Sequence, residues 1–164
     1  MINFFGPINF LGNGTHVYHL MRAYEDIGGE DLCLIPPFGH VGFEDEHVRR
    51  WLHNRAAFDP ANASIMIFDI PFLTQFCGRP RIGFAVFETD GFTDLQKAAL
   101  RSCDHLLTPS HWGKRVLEMH GFKNVHVVPE GYDPETFRID SQPLRHEQSR
   151  PTFISVGKLE KRKG

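Results

Sequence analysis

The chain alternates short apolar segments with amphipathic ones, and this alternation restricts its fold more than any other feature. Six short apolar segments are typical of buried β-strands, at residues 2–5, 32–35, 64–68, 81–87, 106–107 and 125–128. Four amphipathic segments between them are typical of helices, at residues 12–27, 44–54, 94–102 and 110–120, and Thr93 is the predicted cap of the third. Strands that alternate with helices pair in parallel, because each connection crosses back over the sheet. We therefore predict an α/β fold with a doubly wound, mostly parallel sheet and helices on both faces.

The size and charge of the chain exclude several classes of protein. Its 164 residues suffice for one α/β domain of ordinary size and are too few for two full domains. The formal net charge of −2 argues against a protein that coats nucleic acid. No apolar stretch of the sequence approaches the roughly 20 residues of a transmembrane helix. The apolar N-terminus also lacks the basic region and cleavage site of a signal peptide.

The cysteines and histidines of the sequence predict neither a disulfide framework nor a metal site. Cys33, Cys77 and Cys103 lie far apart with no paired spacing, and two of them fall in apolar segments. This usage is typical of reduced thiols in the core of a cytosolic protein, so we predict buried cysteines and a cytoplasmic location. His16 and His19 are three residues apart on a predicted helix, but neither a carboxylate nor a cysteine joins them at ligand spacing.

Polar residues follow several of the predicted strands, where a parallel sheet binds its ligands. Glu88 and Asp90 follow the fourth strand, and two carboxylates at that spacing can bind the hydroxyl groups of a ligand or act as a base. Their alternative role is a solvated turn at Asp90 and Gly91. Further candidates follow the third, fifth and sixth strands, at Asp69, Ser110, Glu130 and Gly131. The alternative for Ser110 is a helix cap, and we expect Gly131 to adopt a backbone conformation that other residues resist.

A glycine-rich segment, Gly12, Asn13 and Gly14, stands between the first strand and the first helix. Two glycines let the backbone approach a ligand closely, and the N–H groups of a helix N-terminus attract phosphate. The segment is not a dinucleotide-binding fingerprint, because Val17 occupies the position of the third glycine. Its alternative role is a flexible turn that begins the helix.

The only basic cluster of the sequence lies at its C-terminal end. Residues 138–151 are polar and turn-forming, which predicts a linker, and residues 152–156 form a further predicted strand. The cluster after that strand includes Lys158 and Lys163, and cations in this position suit a diphosphate. The alternative is a disordered tail.

Three of these segments together resemble the family-4 retaining glycosyltransferases of the GT-B fold (glycosyl transferases group 1). The resemblance is carried by LTPSHW at residues 107–112, VVPEGYD at 127–133 and FISVGKL at 153–159. It implies a Rossmann-like, acceptor-side domain over residues 1–137, a linker over 138–151, and the first strand and basic start of a donor-binding domain over 152–164.

The resemblance also implies an activity and a set of residue roles. A family member transfers a sugar from a UDP- or GDP-linked donor to a hydroxyl of a sugar or glycan acceptor with retained anomeric configuration, and it needs no other cofactor. Lys158 and Lys163 would contact the donor diphosphate, and the segment from Gly12 to Gly14 would approach it from the other side. Glu88 and Asp90 stand where many relatives carry a His-Asp pair beside the acceptor, so they are the predicted catalytic residues. The remaining strand ends would form the wall of the acceptor cleft, at Asp69, Ser110, Glu130 and Gly131.

Two alternatives of a different class stay open at the level of the sequence. One is a non-catalytic module that binds a glycan or a protein partner, and the other is a different GT-B enzyme such as a sugar-nucleotide epimerase. Peripheral contact with a membrane is also open, although Arg49, Arg50 and Arg55 are too few to define a lipid-facing patch. Under the transferase hypothesis, these 164 residues alone are expected to be inactive because the donor side of the cleft is missing.

Overall fold

The computed structural model describes residues 1–39, 41–135 and 137–138. The backbone divides into two compact units, Met1–Glu130 and Gly131–Gly164. In the second unit, the Phe137 amide donates a hydrogen bond to the Asp133 carbonyl oxygen at 2.9 Å. The predicted strand at 152–156, Lys158, Lys163 and all of the predicted linker except its first residue lie outside the described residues.

A six-stranded sheet, parallel throughout, forms the centre of the first unit, which confirms the predicted α/β fold. Its strands are β1 (Ile2–Phe5), β2 (Leu32–Ile35), β3 (Ser64–Ile67), β4 (Arg81–Phe84), β5 (His105–Thr108) and β6 (Val125–Val127). The strand order is β2-β1-β3-β4-β5-β6. The chain therefore leaves β1 toward one edge and returns to add β3 on the other side, so the topological switch point lies between β1 and β3. The fold is Rossmann-like, and this strand order places the preferred ligand crevice at the carboxyl ends of β1 and β3.

Four helices connect the strands. They are α1 (Gly12–Asp26), α2 (Glu46–His53), α3 (Asp94–Arg101) and α4 (His111–Met119). The predicted cap of α3 is confirmed, because the Thr93 hydroxyl accepts from the Gln96 amide at 3.2 Å and the Gln96 side chain accepts from the Thr93 amide. Ser110 caps α4 in the same way, accepting from the Gly113 amide at 3.0 Å. Local sequence therefore sets where these two helices begin.

The helices cover both faces of the sheet, as the sequence predicts. Neighbouring residues of a strand point to opposite faces, so Phe4 and Phe5 enter different cores, as do Met66 and Ile67. We call the face that carries α1 and α2 the α1 side, and its core includes Phe4, Val17, Met21, Trp51, Ile67 and Phe84. The opposite face is the α4 side, and its core includes Phe5, Met66, Ala99, Leu100, Leu106 and Leu117.

Helices α1 and α2 are joined to each other by charged and polar side chains. The Glu25 carboxylate accepts hydrogen bonds from Trp51 Nε1 at 2.7 Å and from Arg50 Nη2 at 2.7 Å. Tyr18 donates its hydroxyl proton to Asp45 at 2.6 Å. Burial raises the pKa of Glu25, but the hydrogen bonds from Arg50, Trp51 and His47 outweigh it and hold that pKa below its ordinary value.

The end of the fourth strand and the exposure of one cysteine differ from the sequence predictions. The fourth strand ends at Phe84 rather than at residue 87, because only the Ala85 amide still bonds to β5 before the chain turns away. The three cysteines are free, but Cys77 is exposed. No helix among the described residues is long and apolar enough to cross a membrane.

Candidate functional site

The first turn of α1 lies at the carboxyl end of β1, beside the switch point. Leu11 holds the N-cap position in an extended conformation, and its side chain cannot accept a hydrogen bond from the helix. The first turn also contains no acidic residue. The leading N–H groups of α1 therefore lack the side-chain partner that caps α3 and α4. A helix start of this kind can present amide protons to a ligand.

The two glycines of the predicted phosphate segment have different roles. A Cβ added to Gly14 would lie 2.5 Å from the Asn9 backbone nitrogen and 2.6 Å from the Asn9 carbonyl oxygen. Glycine is thus needed at position 14 because any side chain would collide with the Asn9 backbone. This packing explains Gly14 without a ligand. A Cβ added to Gly12 would meet no described atom within 4 Å. Of the two, only Gly12 faces space that a ligand could occupy.

Asn13 and Asp69 are two predicted site residues that the structure brings together. The Asn13 side-chain nitrogen lies 3.5 Å from an Asp69 carboxylate oxygen, and both groups are accessible to solvent. Asp69 comes two residues after the last residue of β3 and directly precedes a short 3-10 helix, Ile70–Thr74. The pair therefore spans the β1–β3 switch point, as expected for residues that line the crevice of a doubly wound sheet.

His16 and Glu130 form a second pair along the same edge. The His16 Nδ1 atom lies 3.3 Å from a Glu130 carboxylate oxygen, and the His16 ring packs edge-on against Phe84 at 4.7 Å. The His16 side chain is 18% exposed and that of Glu130 is 51% exposed. Burial lowers the pKa of His16 below its ordinary value of 6.5, although the Glu130 charge acts in the opposite direction. Burial therefore favours the neutral form of His16, and the Glu130 carboxylate lies beside its Nδ1 atom.

We call Asn13, His16, Asp69 and Glu130 the edge row. The sequence predicts three of its members, but it considers His16 only as a metal ligand. The spacing of Asn13 and His16 could have identified the fourth, because residues three apart lie on the same face of a helix. Within the described chain, neither Asp69 nor Glu130 forms an ion pair with lysine or arginine.

The turn that carries Glu88 and Asp90 packs on the α4 side of the sheet. Phe87 and Phe92, which flank them, pack in the core of the α4 side. The Asp90 carbonyl oxygen lies 2.7 Å from His120 Nε2, at the C-terminal end of α4. Phe87 and Phe92 thus fix the turn that carries the two predicted catalytic carboxylates to the α4 side of the sheet.

Two further predicted residues have structural explanations. Ser110 caps α4, which is the alternative that the sequence left open. Gly131 was expected to need an unusual backbone conformation, and this expectation is wrong. Among the described glycines, the left-handed region is occupied at Gly28, Gly39 and Gly121. Gly28 and Gly121 follow the ends of α1 and α4, where glycine ends a helix favourably.

No protein-family model, curated protein or solved structure matches the chain. The assignment of the fold therefore depends on the order and direction of the strands, and that of the site on the edge row at the switch point.

Proposed function

We propose that residues 1–130 form the acceptor-side domain of a retaining glycosyltransferase, which moves a sugar from a UDP- or GDP-linked donor to an acceptor hydroxyl. The edge row is the observation that carries this proposal. It combines two carboxylates, a carboxamide and a neutral imidazole, so it offers both donors and acceptors to a ligand. Such a set suits the hydroxyl groups of a sugar or glycan. The resemblance of residues 107–112 and 127–133 to family-4 glycosyltransferases supports the same assignment.

The charge of the edge row favours the acceptor over the donor diphosphate. Asp69 and Glu130 are both carboxylates, and a diphosphate placed beside them would be repelled. The family resemblance assigns the diphosphate to Lys158 and Lys163, which lie outside the described residues. We therefore assign the edge row to the acceptor alone.

The proposed reaction needs positioning more than a protein nucleophile. The bond between the sugar C1 and the diphosphate oxygen breaks, and a bond from C1 to the acceptor oxygen forms on the same face. The acceptor proton passes to the leaving diphosphate. The role of the edge row is to hold the acceptor hydroxyl beside C1 on the face from which the diphosphate leaves, which removes much of the entropic cost of the reaction. Charge stabilisation of the leaving group is left to the cations.

Binding to the chain itself tests the acceptor half of the proposal. Methyl α-glucoside, methyl α-mannoside, methyl α-galactoside and N-acetylglucosamine are titrated in turn while the NMR signals of Asn13 and His16 are followed. We expect at least one of these sugars to shift the NMR signals of both Asn13 and His16. The substitution Asp69→Asn is expected to abolish these shifts. Glu118→Gln is the matched control, because it removes a partly exposed carboxylate from α4. If no sugar shifts either signal in the wild-type chain, the proposal fails.

Turnover separates the transferase from a non-catalytic module. The protein for this test is a longer polypeptide in which a donor-binding domain follows residue 164. We expect it to release UDP or GDP from a nucleotide-sugar when a sugar acceptor is present. Glycan binding without nucleotide release would instead support the binding module.

A further inference from the structure

A small cleft opens beside the switch point on the α4 side of the sheet, and apolar side chains form most of its wall. Its walls are the carboxyl ends of three adjacent strands, the turn after β2, and the residue after the 3-10 helix Ile70–Thr74. The lining residues are Phe5, Ile35, Pro36, Pro37, Met66 and Gln75. All except Gln75 are apolar, and the volume of the cleft is about 240 Å³. None of the predicted site residues lines this cleft.

The walls of this cleft are held in place by the core. Phe5 and Met66 are 8% and 2% exposed, so both are fixed by surrounding side chains. Phe5 also packs against the ring of Phe76 at 5.6 Å. Pro36 and Pro37 have restricted backbone torsions, which stiffens the turn after β2. The cleft is therefore formed before any ligand arrives, and binding costs little reorganisation.

The size and lining of the cleft define what it can bind. Its 240 Å³ exceeds the roughly 150 Å³ of an apolar cavity that binds benzene, and it falls short of the roughly 300 Å³ of the smallest pockets for drug-sized ligands. A single aromatic ring or a short aliphatic group fits these limits. The exposed Gln75 side chain makes no hydrogen bond within the described part of the chain, so its carboxamide can bind one polar substituent at the rim.

We propose that this cleft binds an aromatic or short aliphatic group, and that the acceptor held by the edge row carries such a group. The second half of this proposal rests on the proposed function. Asp69 and Gln75 stand at opposite ends of the 3-10 helix Ile70–Thr74. At about 2 Å of rise per residue, they are about 12 Å apart, a span that a sugar with an attached ring can bridge. The acceptor class is thus an amphipathic glycoside rather than a plain sugar.

Three probes test the two halves separately, using the methyl NMR signals of Ile35 and Met66 in the full chain. Benzyl alcohol and phenyl β-glucoside are expected to shift both signals, whereas methyl β-glucoside leaves them unchanged. The methyl signal of Met119, which is 83% exposed, is the internal reference. We also expect phenyl β-glucoside to bind at least fivefold more tightly than methyl β-glucoside. If benzyl alcohol shifts neither signal up to its solubility limit, the cleft is not a binding site.

Substitution of the cleft provides the second measurement. Ile35→Trp fills it and is expected to weaken the binding of phenyl β-glucoside at least fivefold, down to that of methyl β-glucoside. Ile27→Trp is the matched control, because Ile27 is 81% exposed. Gln75→Trp covers the rim from an exposed position and replaces Ile35→Trp if that variant does not fold. Unchanged affinity in Gln75→Trp and in a folded Ile35→Trp overturns the assignment.

The outcomes distinguish failure of the inference from failure of the proposed function. If benzyl alcohol binds in the cleft but no glucoside shifts the signals of Asn13 or His16, the cleft remains a binding site and its link to an acceptor is wrong. If both glucosides bind equally and the Ile35 and Met66 signals do not shift, the sugar site stands and the cleft is not a binding site.

Discussion

On the α1 side of the sheet, two helices meet through hydrogen-bonded charged side chains, whereas on the α4 side the helices pack through apolar ones. Glu25 and Asp45 join α1 to α2, and they depend on being ionised. Leu100 and Leu117 fix α3 and α4 to the sheet, and they are 1% and 0% exposed. We therefore expect the stability of the α1–α2 contacts to depend on pH more than that of the packing on the α4 side. Two members of the edge row, Asn13 and His16, lie on α1 and therefore belong to this side.

The largest effect is expected from the apolar side. Leu117→Ala leaves a cavity in the core, and such substitutions typically lower the free energy of unfolding by about 3 kcal/mol. Met119→Ala, on the exposed surface of the same helix, should change it by less than about 0.5 kcal/mol. Urea denaturation at pH 5 and pH 7 measures both variants. A loss for Leu117→Ala that varies strongly with pH would contradict the comparison.

The α1 side should respond to the loss of one carboxylate. Glu25→Ala removes the acceptor of Trp51 and Arg50, and the expected loss at pH 7 is about 2 kcal/mol. The folded protein holds the pKa of Glu25 below the ordinary value of 4.5, so ionised Glu25 stabilises the fold above that pH. The contribution disappears as pH falls through the folded-state pKa.

Denaturant titrations of wild type and Glu25→Ala between pH 3 and pH 7 measure this change. The difference between the two proteins should shrink toward the acid end. Glu118→Gln on α4 is the control, and its effect should stay small at every pH. A difference that is constant with pH would show that Glu25 acts through packing alone.

A smaller effect, on turnover, decides whether Asp69 of the edge row or Glu88 of the turn after β4 serves the reaction. In a longer polypeptide with a donor domain, Asp69→Asn should lower kcat/KM at least tenfold, which corresponds to about 1.4 kcal/mol. Glu88→Gln should change it less than twofold, because the turn from Glu88 to Asp90 packs against the end of α4. The resemblance to family-4 enzymes predicts the opposite ranking, so a tenfold loss in Glu88→Gln alone would restore Glu88 as the catalytic residue.

The smallest effect concerns the titration of one imidazole. His16 should titrate below pH 6.5 in an NMR experiment, because burial disfavours its charged form. Between the folded-state pKa and 6.5, the unfolded chain binds more protons at this residue, so its contribution to stability decreases as pH falls. Glu130→Gln removes the charge that raises the pKa, and the midpoint should move further down. An unchanged midpoint would show that Glu130 does not face His16 in solution.

Local sequence predicted the elements of the fold well, because each depends on nearby residues. The apolar run of β1 and the caps at Thr93 and Ser110 are examples, and all three were placed correctly. The site was only partly predictable. Glu88 follows a strand as expected, but the direction of its loop depends on where Phe87 packs, which no local pattern shows.

The pairing of His16 with Glu130 was missed for a related reason. The two residues come from opposite ends of the first unit in the sequence, and only the completed sheet brings α1 beside the segment after β6. Periodicity places His16 on a helix face and Glu130 after a strand, but it does not state which strand lies under which helix. That information comes from the strand order.

The same long-range pairing makes the site a reporter of folding. A ligand that contacts both His16 and Glu130 can bind only chains in which β1 through β6 are all assembled. Its binding energy is then added to the stability of the whole first unit rather than to one loop. A rise in melting temperature with sugar concentration would therefore be cooperative across the sheet, and every amide in the strands should gain protection from hydrogen exchange together.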